Sequence, residues 1–150
     1  MKTRVPPPVI LLMFGLAMWL LASRISILPF SLPIPTSFIA LPALLGVGIA
    51  AAGVLSFSKV GTTVNPHRIR QASSLVTDGV FRRTRNPMYL GLLLVLLSWC
   101  LWLGEAANGF LLLLFVVAIT ELQIKPEEQV LADLFGDAFR DYSRRVRRWI

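Results

Sequence analysis

Phe38–Phe57 reads FIALPALLGVGIAAAGVLSF, a run without a single charged side chain. That length matches the ~20 apolar residues that carry a helix across the ~30 Å hydrocarbon core of a bilayer. The rest of the chain is built the same way. Hydrophobic residues make up 55% of the 150 and charged residues only 15%, and the charges are confined to a few segments. A soluble core would not leave windows this long without charge, so the expectation is an all-α integral-membrane protein of one domain. Pro42 is placed in the first turns of the run, where proline is tolerated. Gly46, Gly48, Ala50, Ala51, Ala52 and Gly53 offer the small surface that lets helices approach closely.

On the N-terminal side, Arg24–Ser37 contains Pro29, Pro33 and Pro35. These prolines cannot continue a helix, so the segment is read as an irregular loop along the headgroups. Before it, Val9–Ala22 is uncharged and predicts a first span over about 6–23. A basic head, an apolar middle and the small pair Ala22-Ser23 also fit a secretory signal peptide. The unbroken run without a clear cleavage pattern favours a retained span.

On the C-terminal side a polar loop, about 58–86, leads to a third apolar run at 87–103 and a fourth at 107–122. Only Gly104, Glu105 and Ala106 separate them, which makes the pair an antiparallel hairpin. With 38–57 this gives four spans. Beyond Lys125, Pro126-Glu127-Glu128 opens a helix, since proline suits the first turn and carboxylates the positive end of the dipole. Val130, Leu131, Leu134, Phe135, Ala138, Phe139 and Tyr142 then recur at helical spacing. They predict an amphipathic helix over about 126–143 lying on an anionic membrane surface, with Gly136 as its break or kink.

Charge distribution sets the topology. Two basic residues precede the first span, six lie in the 58–86 loop and six in the tail, and Arg24 alone lies between spans one and two. The positive-inside rule then places both termini in the cytoplasm, with the polar loop and Glu127-Glu128 on the same face. In a bacterium this is the inner or plasma membrane.

The net charge of +7 does not imply nucleic acid, because the basic residues flank apolar runs and form no separate basic domain. Cys100 is the only cysteine and His67 the only histidine. No intrachain disulfide or metal site is therefore expected. Nucleophile elbows, zinc-protease helices and phosphate-binding loops are absent from the sequence.

Two polar clusters remain. Leu75–Leu90 reads LVTDGVFRRTRNPMYL, and the second cluster is Lys125-Pro126-Glu127-Glu128. Proline at a first helical position makes Asn86 the N-cap of span three, and the arginines before it serve as anchors. That explanation needs no function, but it leaves Tyr89, Gly91 and the lead-in from Ser73 unexplained.

SSLVTDGVFRRTRNPMYLG, a helical hairpin and then EEQVLADLFGDAFRDYSRRVRRW follow one another over roughly Asn65–Trp149. This order resembles the isoprenylcysteine carboxyl methyltransferase and phospholipid methyltransferase family. The family pattern is Gly-aromatic, Arg-His-Pro-x-Tyr-x-Gly, a hairpin, and Glu-Glu followed by Phe-Gly and spaced tyrosines. The resemblance implies an S-adenosyl-L-methionine site between hairpin and tail, contacted by Ser74, Leu75, Val76, Phe81, Asn86, Pro87, Met88, Tyr89 and Glu127. It implies a lipophilic or small membrane-partitioning acceptor bearing a carboxylate, amine or thiol, reached between spans three and four, with membrane lipids as the surroundings. Arg85, Glu128 and Tyr89 are the candidates for a catalytic role. The chain departs from the pattern twice. Asn86 replaces the usual histidine, and the arginine that prenylcysteine-type enzymes place against the substrate falls at Gln123, which argues against a prenylcysteine acceptor. Two other classes remain open: a non-catalytic membrane scaffold or lipid-binding protein of the same fold, and a nicotinamide-dependent membrane reductase with a similar C-terminal pattern.

Overall fold

The computed structural model describes residues 5–31, 35–60 and 73–150. The expectations resting on Lys2, Arg4, Pro33 and residues 61–72, His67 among them, lie outside these. The order is α1 (Pro7–Leu20), α2 (Thr36–Val60), α3 (Pro87–Leu103), α4 (Asn108–Ile119) and α5 (Lys125–Arg145). A π turn, Leu21–Ile25, extends α1; a second, Thr120–Ile124, joins α4 to α5; and a 3-10 turn, Gly79–Arg82, precedes α3. Among the described residues the only sheet-like pairing is an isolated bridge between Pro29 and Glu105.

Pro7–Ile25, Thr36–Ser58 and the stretch from Asn108 are long and apolar enough to cross a membrane, and the 17-residue α3 is a shorter apolar helix. Leu12, Leu44 and Leu113 point outward with about two-thirds of their surface uncovered, as side chains facing lipid do. This is an all-α membrane protein. α3 stands at its centre, packed by α1, α2 and α4. Met18 of α1, Leu96 and Cys100 of α3, and Phe115 and Ile119 of α4 are buried together, with Phe14 edge-on to Phe115 at 5.4 Å between ring centroids. The first apolar run is thus part of the core.

The closest helix contact uses the glycines read from α2. A Cβ on Gly46 would lie 2.5 Å from the Gly91 carbonyl oxygen, and one on Gly91 would lie 2.5 Å from that of Gly46. The backbones touch, and any side chain would part them. Because α2 begins at Thr36, Pro42 lies inside the helix rather than in its first turn. Pro42 leaves the Phe38 carbonyl without its helical N–H donor, and beside it Ser98 Oγ of α3 donates to the Ile39 carbonyl at 2.7 Å.

At the far end of the bundle Glu105 is more than a joint. Its buried Oε1 accepts from the Leu28 N–H at 2.7 Å and the Ala107 N–H at 3.2 Å. Phe30 N–H donates to Gly104 O, and Ala106 N–H to Leu28 O. The loop after α1 is therefore clasped to the α3–α4 turn, and its described part is less irregular than the prolines suggest.

One expectation about the C-terminal helix is corrected and another is refined. It does not start afresh after a span ending at 122, because α4 runs on through the π turn into α5. The wider turn just ahead of Pro126 accommodates the proline ring and its missing N–H. The expected apolar face of α5 is present and half of it is turned inward, while Leu134 and Ala138 remain exposed. Phe139, Tyr142 and Val146 pack on Val76 and Phe81 of the polar loop, flanked by Phe57, Leu75 and Leu131. Glu127, Glu128, Asp133, Asp137, Arg140 and Asp141 make α5 far more charged than the helices before it. Gly136 kinks it with φ 51° and ψ −122°, a conformation that glycine adopts without strain.

Candidate active site

Four pieces of chain converge at one end of the bundle: the first turn of α1, the last turns of α2, the 73–89 segment, and α5. Between them lies a cavity of about 380 Å³, within the ~300–1,000 Å³ of small-molecule sites. Ser74, Leu75, Val76, Phe81, Asn86, Pro87, Met88, Tyr89 and Glu127 all line it, as do Arg85 and Glu128. The sequence clusters at 75–90 and 127–128 are therefore two walls of one space. Gln123 is not part of it. Its side chain is buried, and its Nε2 donates to the Val5 carbonyl at 2.7 Å, anchoring the segment before α1.

The walls are joined by polar bonds. Tyr89 Oη, in the first turn of α3, donates to Glu127 Oε1 in the first turn of α5 at 2.6 Å. A hydrogen bond to a carboxylate at that length is charge-assisted. Glu128 Oε1 lies 2.9 Å from Arg85 Nη2, and its two oxygens take Arg148 Nε at 3.1 Å and Nη2 at 2.6 Å. Arg85 and Glu128 are only 13% and 17% exposed, so this arrangement is well shielded from water. The Glu128 hydrogen bond pushes Arg148 above the ordinary arginine range. Arg85 also lies over the Phe139 ring, 5.9 Å from its centroid.

Asn86 is the residue before α3, but it does not cap the helix with its side chain. Its Nδ2 donates instead to the Arg148 carbonyl at 2.8 Å, and Arg85 N–H donates to the Arg147 carbonyl at 3.1 Å. The asparagine thus supplies a donor to the tail. Tyr142 Oη donates to the Phe81 carbonyl at 2.8 Å. Burial pushes its phenol up to about 12, against the smaller opposing effect of Arg85.

The sequence reading missed several wall residues. Phe57, Leu131, Phe139 and Tyr142 line the cavity, and Phe57 stands edge-on to Phe81 at 5.3 Å. Their signal was present as the last residue of an apolar run and as the α5 stripe, but it was assigned to lipid. A second, largely apolar recess lies between α1 and α2 over α3, lined by Leu11, Gly15, Ala43, Val95 and Trp99 among others. This is a different gap from the expected one between α3 and α4. Among the described residues no group of three His, Cys, Asp or Glu is placed to hold a metal.

Residues 36–138, spanning α2 to just past the Gly136 kink, match the phospholipid methyltransferase family. The chain belongs to that family. A Haemophilus influenzae protein described as uncharacterized is 46% identical over 63 residues, which is 42% of this chain and all of that protein. The protein-S-isoprenylcysteine O-methyltransferase of Schizosaccharomyces pombe is 32% identical over 72 residues, 48% of this chain and 30% of that enzyme. The chain thus spans under a third of the Schizosaccharomyces pombe enzyme's length. No solved structure matches the chain. Within this phospholipid methyltransferase family member, the matched region carries the hairpin and both polar walls. α1 and the segment from Phe139 onward lie outside the match, yet Pro7, Pro8, Phe139 and Tyr142 complete the lining.

Proposed function

We propose that the cavity binds S-adenosylmethionine and that the protein transfers its methyl group to a lipophilic acceptor at the cytoplasmic membrane face. The observation carrying this reading is the Tyr89–Glu127 bond, which sets an oriented carboxylate in a largely aromatic and aliphatic space. Such a wall fits a ligand with a cationic sulfonium and ammonium and a flat base. Family membership supports the reaction class.

Bound there, the cofactor supplies an activated methyl group: a bond forms between acceptor and methyl carbon, the carbon–sulfur bond breaks, and its electron pair stays on sulfur. The protein's work is to align and to exclude water. Glu127, oriented by Tyr89, attracts the cationic part. Phe81 and Phe139 pack the flat part, and the Ser74–Val76 backbone closes the side. Arg85 and Glu128 occupy one another and hold the wall. Of the catalytic candidates, Tyr89 is the one that donates to Glu127, while Arg85 and Glu128 are paired with each other. The recess between α1 and α2 takes the hydrocarbon of the acceptor, so that its reactive end reaches the cavity along α3.

This reading requires several passes through the bilayer with both termini on the cytoplasmic side, as the charge distribution implies. The test uses purified protein in detergent, incubated with methyl-labelled cofactor and membrane extract. Label should enter an organic-soluble fraction, and S-adenosylhomocysteine should raise the melting temperature while reduced nicotinamide does not. Stabilisation by the nicotinamide instead would make the protein a reductase; no response to either would make it a scaffold.

A further inference from the structure

Beyond Arg145 the chain leaves the helix at Val146, which is buried with extended φ −119° and ψ 130°. It then runs back across the entrance to α3. Four backbone or side-chain ties hold it there besides the Glu128 pair: Arg85 N–H to Arg147 O, Asn86 Nδ2 to Arg148 O, Thr84 Oγ1 to Arg148 O at 3.4 Å, and Trp149 Nε1 to Thr120 Oγ1 at 3.2 Å. At the other end of the same unit stands the Gly136 kink, with open space around it. Between kink and strap lie Phe139 and Tyr142, both in the cavity wall.

We infer that Asp137–Trp149 is a lid hinged at Gly136, and that Arg148 is the positioning residue that locks it. The lid carries two wall aromatics, so lifting it opens the cavity without disturbing α3 or the first half of α5. Arg148 is the one lid side chain with a bidentate grip on the stationary part, through Glu128, which also braces Arg85. A guanidinium meeting both carboxylate oxygens fixes direction as well as distance. Lysine would keep the charge and lose the fork. The lid does not depend on which ligand the cavity takes; its use in retaining the cofactor rests on the function proposed above.

Hydrogen exchange on the full chain in detergent tests the hinge without any ligand. Arg148→Ala removes two charge-assisted hydrogen bonds and should speed amide exchange in 137–149 by about tenfold or more, since even one such bond represents about that factor. Exchange in Lys125–Phe135 and α3 should stay as in the parent, and Arg148→Lys should restore the slow rate only in part. Faster exchange throughout α5, or no change, would overturn the lid. As a control for general loosening, Glu105→Ala at the opposite end should leave exchange in 137–149 unchanged; an equal rise there would reduce Arg148 to a merely structural residue. Adding S-adenosylhomocysteine should then slow exchange in 137–149 of the parent. If the hinge behaves as stated but this ligand gives no protection, the cofactor assignment fails and the lid stands.

Discussion

Tyr89 Oη and Glu127 Oε1 lie 2.6 Å apart, a single bond between the first turn of α3 and the first turn of α5. It joins the two stretches of sequence that carry the polar residues of the cavity. Tyr89→Phe removes the donor and keeps the ring; Glu127→Gln removes the charge and keeps the shape. Each should weaken S-adenosylhomocysteine binding by about tenfold or more, since hydrogen bonds to charged groups are worth roughly 1.5–3 kcal/mol. Calorimetry in detergent measures this, and parental affinity in both variants would remove the pair from the site.

The contact between α2 and α3 makes a paired prediction. Gly46→Ala would set a methyl group 2.5 Å from the Gly91 carbonyl, whereas a Cβ on Gly48 meets nothing within 4 Å. Gly46→Ala should therefore cost about 1–3 kcal/mol of stability, as overpacked sites do. Gly48→Ala should be neutral. Thermal unfolding of the two side by side decides it, and equal melting temperatures would contradict the packing.

Glu105 predicts stability at the other end of the bundle. Glu105→Ala leaves the Leu28 and Ala107 N–H groups without their buried acceptor, a loss of about 1–3 kcal/mol per unsatisfied group. Glu105→Gln retains a carbonyl oxygen and should recover part of that. A melting temperature for Glu105→Ala equal to the parent's would show that the clasp contributes nothing.

Tyr142 predicts a response to alkali. Its phenol, ordinarily near 10, is raised by burial to about 12 in the folded protein. Between those values the unfolded chain releases its proton while the folded chain keeps it, so stability falls as pH rises through that window. Below pH 10 the residue adds no slope. Tyr142→Phe should lack this alkaline loss, and denaturation followed at pH 9 and pH 11 would show the difference. Identical pH dependence in the two proteins would place the phenol in water.

Much of this architecture could be read in advance where a single residue type punctuates the chain. α3 was bounded at Pro87 and Leu103 because proline marks a first turn and Gly104 follows the last apolar residue. The convergence of Leu75–Leu90 with Glu127 followed from charge counting, which is insensitive to local detail. The α4–α5 junction was illegible for the opposite reason: Pro126 signals a break, and whether a π turn absorbs it depends on local backbone geometry. The stripe on α5 was recognised, but period alone cannot distinguish protein from lipid as its partner. The grip of Arg148 was hidden altogether, because a run of arginines at a chain end reads as a solvated face and its partners lie 20 and 62 residues away.

The uninterrupted rod from Asn108 into α5 has a mechanical consequence. Its first part is apolar enough to cross a membrane and its later part carries Glu127 opposite Tyr89, with the backbone helical up to Gly136. A thinner or thicker membrane tilts apolar helices to match their length. Phe115 and Ile119 of this rod pack on Leu96 and Cys100 of α3, and Glu127 is tied to Tyr89, so α3 would follow such a tilt and the two cavity walls would move as one unit.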